Sequence, residues 1–79
     1  MIKNKFALLL SRKRAKESRR ITMNEVARAT GISRQTLYKW EDGSVERFET
    51  RVVSVLCQYF GVGIGDLLEY VEDQPTPKK

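Results

Sequence analysis

From Ser33 to Glu41 the chain reads Ser-Arg-Gln-Thr-Leu-Tyr-Lys-Trp-Glu. Leu37 and Trp40 stand at i and i+3, so a helix here would turn both inward. Gln35, Tyr38 and Lys39 would then point outward, with Arg34 on the flank near the positive helix end. These side chains suit the edges of base pairs. A glutamine amide can bond both edge groups of adenine, and Arg or Lys can engage O6 and N7 of guanine. Tyr, or Thr as at Thr36, can meet a thymine methyl or a phosphate. The other reading of this outer face is a surface for another partner.

Catalysis finds little support. The chain has no histidine and one cysteine, Cys57, in an apolar stretch, and it lacks a glycine-rich phosphate cradle. His-dependent triads, His-ligated zinc sites and P-loops are therefore excluded. Glu41, Asp42, Glu46 and Glu49 flank a loop and a helix start, where capping and solubility account for them. Gly61-Val62-Gly63-Ile64-Gly65 has no strand before it and reads as a helix-to-helix turn. No enzyme and no cofactor are expected.

The elements that must hold the 33–41 segment read at helical period, and hairpin signals are missing, so the fold is expected to be all-α. Phe6, Leu9, Leu10 and Lys13 share a face of a first helix that ends between Lys16 and Arg20. Thr22-Met23-Asn24-Glu25 is a capping box opening a second helix, and Gly31 closes it. Ser33 caps the third, which Asp42-Gly43-Ser44 breaks. Val52, Leu56, Tyr59 and Phe60, with Phe48 ahead, form the stripe of a fourth helix beginning near Glu49 or Thr50 and stopping at Gly61. A short fifth helix over about Ile64 to Tyr70 has Asp66 near its positive end and Leu67-Leu68 to close the core.

Seventy-nine residues make one domain, expected over residues 1–71, with a flexible tail over 72–79 where Pro75 and Pro77 interrupt a polar stretch. The net charge of +5 is unevenly spread. Residues 1–40 carry eleven Lys and Arg against two Glu, a balance of +9, whereas residues 41–79 carry four bases against eight acids, a balance of −4. The first half is thus suited to a polyanion. The apolar run Phe6–Leu10 is too short for a signal peptide or a membrane span, and a lone cysteine fits a reducing compartment, so the chain reads as cytoplasmic. Cys57 reads as a small core residue.

The segment from Val26 to Trp40 brings these threads together. Two helices can cross steeply in so few residues if Ala27 is small at the contact and Gly31 allows the turn. Val26, Ile32, Leu37 and Trp40 must then fill the wedge. This spacing resembles the helix-turn-helix of lambda-repressor and Cro-like regulators, the Xre family. The stretch Leu56-Cys57 through Gly65-Asp66-Leu67-Leu68-Glu69-Tyr70 is similar to the closing part of one branch of that family, and together the two stretches cover most of residues 21–70. The resemblance implies a five-helix lambda-repressor-like DNA-binding domain. It also implies that Ser33, Arg34, Gln35 and Lys39 do most of the base reading, joined here by Tyr38 from the helical wheel.

Phosphate contacts are expected from Arg28, the Arg12-Lys13-Arg14-Ala15-Lys16 run, Arg19, Arg20, Thr36 and the amides opening the second and third helices. The chain departs from the family pattern at two places. Met23 stands where a glutamine commonly ties phosphate to the recognition helix, so Thr22 or Asn24 would have to take over. The connection before Ile21 is a residue or two longer and basic, which suggests a loop from Lys16 to Arg20 reaching the DNA backbone. Family members usually bind as dimers, and Val62, Ile64 and Tyr70 are the expected dimer surface. The implied role is a transcriptional repressor on double-stranded DNA, without a membrane. The alternative is an interaction protein, such as an antitoxin or adaptor, whose acidic second half binds a protein partner.

Overall fold

The computed structural model describes residues 1–72. Its helices are α1 (Phe6–Glu17), α2 (Met23–Thr30), α3 (Arg34–Asp42), α4 (Thr50–Phe60) and α5 (Ile64–Leu67). The expected tail lies outside the described residues from Asp73 onward. None of the described helices is long and apolar enough to cross a membrane.

Several helix ends have a local reason. Asn4 Oδ1 accepts from the Phe6 amide at 3.0 Å just ahead of α1. Thr22 Oγ1 accepts from the Glu25 amide at 3.1 Å and Ser33 Oγ from the Thr36 amide at 3.2 Å, so both expected hydroxyl caps form. Gly31, Gly43 and Gly61 close α2, α3 and α4 at φ of 75°, 79° and 68°. A Cβ on Gly31 would meet nothing within 4 Å. Its backbone conformation, and not crowding, is what calls for glycine there. The Thr22 capping box forms only in part: the Glu25 carboxylate turns away to Arg19.

The core gathers one face from each helix. Phe6, Leu10, Ile21, Val26, Leu37, Trp40, Leu56 and Leu67 are almost wholly enclosed, and no polar side chain among the described residues is buried with them. Phe60 meets Phe6 edge to face at 5.6 Å, and Phe48 meets Trp40 likewise at 5.4 Å. Ala27 and Cys57 pack against this cluster as expected.

The helical architecture carries one addition absent from the sequence reading. The chain forms a small antiparallel ribbon, β1 (Ile2–Asn4) against β2 (Leu68–Tyr70), with Ile2 opposite Tyr70 and Asn4 opposite Leu68. The fifth helix consequently stops at Leu67 instead of Tyr70. Lys5 donates its amide to Leu67 O at 2.7 Å and its ammonium meets Glu69 at 3.2 Å, so the ribbon anchors the start of α1 to the end of α5.

Ser18 caps α1 at φ 53°, a left-handed conformation that costs a non-glycine residue about 1–2 kcal/mol. Ser18→Gly relieves this at a smaller entropic cost in the unfolded chain. It should raise stability by about 0.5–1 kcal/mol and the melting temperature by a few degrees in a domain of this size. A calorimetric scan showing no gain for Ser18→Gly would contradict the strain argument.

Candidate nucleic-acid interface

Leu37 and Trp40 are 0% and 1% exposed, which sets the rotation of α3 about its axis. Gln35, Tyr38 and Lys39 therefore stand on its open side, where all three are exposed. None of these side chains makes a hydrogen bond or ion pair within the described residues. Asp42, at the end of the same helix, accepts from the Ser44 amide at 2.9 Å. Bonding from Ser44 holds its carboxyl below the ordinary value.

The start of α3 is electrostatically unusual. Arg34 occupies the first helical position, and no acidic residue shares that turn. A cation there opposes the helix dipole, at a cost of about 0.3–1 kcal/mol that a bound anion would remove. Arg34 Nη1 donates to Asn24 Oδ1 at 3.0 Å and so ties the first turn of α2 to the first turn of α3. Met23, in contrast, is turned into the core. A polar bridge between the two helices thus comes from Asn24, the residue after Met23. Ser33 and Thr36 are mutually engaged, since the Ser33 hydroxyl donates to Thr36 Oγ1 at 3.0 Å while capping the helix.

The basic residues expected to meet phosphates divide into two groups. Arg14 donates from Nε and Nη2 to Ile21 O at 3.1 and 2.7 Å, bracing the connection between α1 and α2. Arg19 pairs with Glu25 at 2.6 Å and with Glu17 at 3.0 Å. Arg12, Arg20 and Arg28 are exposed and carry no such side-chain partner among the described residues. The expected loop from Lys16 to Arg20 is shorter, because Lys16 and Glu17 lie in the last turn of α1.

One basic residue was overlooked in the sequence. Arg47 lines a groove of about 340 Å³ between α3 and the start of α4, together with Thr36, Lys39 and Ser44 and with the carboxylates Glu46 and Glu49. Arg47 is the only base between Lys39 and Arg51, set among Glu41, Asp42, Glu46 and Glu49. That acidic setting masked it until α3 and the loop after it were placed side by side.

The carboxylates near α2 form a short chain of charges. Lys13 bonds Glu17 at 2.8 Å, and Glu17 and Glu25 share Arg19. Lys13, and then Arg19, hold the Glu17 carboxyl below the ordinary range; Arg19 does the same for Glu25. Depressed values stabilise the fold above the ordinary glutamate value of 4.5, and the effect is lost as pH falls through the folded-state value. These groups are all at least partly exposed, so the effect is small. In melts between about pH 6 and pH 3, Glu25→Gln should be less stable than the parent at the upper end, and the difference should vanish at the lower end. A difference that stays constant with pH would mean that the pair contributes nothing.

No group of three or more His, Cys, Asp or Glu among the described residues could hold a metal ion. The interface is one of hydrogen-bond donors, amides and cations, carried by two capped helices joined through Gly31. No curated protein matches the chain significantly. The family model of the Cro/C1-type HTH DNA-binding domain matches residues 13–73, which covers the end of α1 and all of α2 to α5, and the chain belongs to that family.

Proposed function

We propose that this protein is a sequence-specific transcriptional regulator that represses by occupying its promoter, with α3 lying in the major groove. The observation that carries this reading is the row Gln35, Tyr38 and Lys39, exposed and without hydrogen-bond partners among the described residues, on a helix whose rotation is set by Leu37 and Trp40. Ser33 and Arg34 complete the reading end, where amides at the helix start favour an adjacent phosphate. Arg34, held by Asn24, presents its guanidinium from a fixed base, which suits bidentate recognition of guanine.

The phosphate grip is assigned to Thr22, Asn24, Arg28 and Thr36, with Arg12 and Arg20 on one flank and Arg47 on the other. Arg14 and Arg19 contribute mainly by bracing α1 against α2, since both already have intramolecular partners. DNA bearing regularly spaced phosphates could still recruit Arg19 at the expense of an exposed ion pair of small worth.

A single recognition helix reads few base pairs, and a homodimer on a near-palindromic site doubles the interface. Ile64 and Tyr70, 62% and 69% exposed, support a self-association surface that also includes Val62. Ile2, 48% exposed and opposite Tyr70 in the ribbon, extends it.

Selection of the protein on random duplex DNA at near-physiological salt should enrich an inverted repeat. On the enriched site, Gln35→Ala and Lys39→Ala should each cost about 1–3 kcal/mol and relax the preference at one position per half-site. Arg28→Gln should lower the salt slope by about 1 per protomer without changing the preferred sequence. A uniform loss of affinity over all sequences for Gln35→Ala would show that α3 is not the reading helix, and failure to enrich any sequence would refute sequence-specific binding.

A further inference from the structure

A second groove, of about 270 Å³, lies between α1 and the end of α4. Leu9, Phe60 and Val62 supply its apolar lining, and Arg12, Lys13, Lys16 and Glu17 its polar rim. The rim cations are not equivalent. Lys13 is committed, bonded to Glu17 at 2.8 Å and held over the Tyr59 ring at 4.9 Å. Arg12 and Lys16 stand one helical turn apart, exposed, with no hydrogen bond or ion pair among the described residues. Like charges at this spacing repel and slightly destabilise a helix. The groove therefore pairs an apolar wall with two uncompensated positive charges.

We propose that this groove binds a small anionic amphiphile, a monocarboxylate with a short acyl or aryl body. The body packs on Leu9, Phe60 and Val62, and the carboxylate is held by Arg12 and Lys16. A planar carboxylate matches the guanidinium fork of Arg12, with the Lys16 ammonium one turn away as a second cation. The volume suits a fragment-sized ligand, below the range of most drug-sized sites. Arg12 is shared with the proposed phosphate grip and Val62 with the proposed self-association surface, but the assignment rests on the groove alone and its failure leaves the family relationship and the operator reading untouched.

The test is a titration of the ¹⁵N-labelled protein with octanoate, followed by amide chemical shifts, with acetate, inorganic phosphate and octan-1-ol as comparison probes. Saturable shifts are expected for Leu9, Lys13, Phe60 and Val62 with octanoate. Octan-1-ol should bind roughly tenfold more weakly, as should octanoate to the Arg12→Gln/Lys16→Gln variant, because each lacks one side of the charge-assisted bond. Both replaced side chains are exposed, so the variant should retain the parent spectrum elsewhere. The proposal is overturned if octanoate gives no saturable shift or binds the variant undiminished. It is equally overturned if acetate or phosphate reproduces the same shifts, which would mark a plain anion contact.

Discussion

The burial of Trp40 beside Leu37 is the constraint on which the interface depends. Both side chains are removed from water, and Phe48 closes on the indole edge to face. Apolar burial on this scale favours one rotational setting of α3 by several kcal/mol, because turning the helix would expose two large side chains. The outward side is then chosen by default. Gln35, Tyr38 and Lys39 need no contacts of their own to be aimed; the aim comes from Leu37 and Trp40 on the opposite face of the same helix.

Around that constraint the remaining parts act as braces. Gly31 lets the chain turn from α2 into α3, and Asn24 bonds Arg34 across the turn. Arg14 fastens the backbone at Ile21, while Arg19 spans Glu17 and Glu25, so the end of α1 is clasped to the start of α2. The basic residues of the first half thus serve two purposes. Some hold the helices, and those left without partners supply the positive surface.

The helix-turn-helix was legible in the sequence because each of its conditions is local. A hydroxyl three residues before the amide it caps, a glycine just past a helix and two apolar residues at i and i+3 can all be read within a few positions. The partners of Arg14 and Arg19 were not legible, since a basic run does not reveal which members face an acceptor until α1 and α2 are in place. The ribbon was hidden for a similar reason. Ile2–Asn4 and Leu68–Tyr70 are too short to show alternation, and the pairing joins opposite ends of the described chain. Once Leu68 to Tyr70 are committed to strand, α5 must be short. Arg47 escaped notice because it stands alone among acidic residues in sequence, and its place beside Thr36 and Lys39 depends on how the loop after α3 folds back.

The most direct measurement of the central claim is paramagnetic broadening of protein amides by a spin label on a thymine C5 of the bound duplex, a position that projects into the major groove. If α3 lies in that groove, amides from Arg34 to Lys39 should broaden most, with weaker effects at the start of α2 and near Arg47. Strongest broadening in α1 or α4, with α3 unaffected, would contradict the assignment of α3 as the helix that reads DNA.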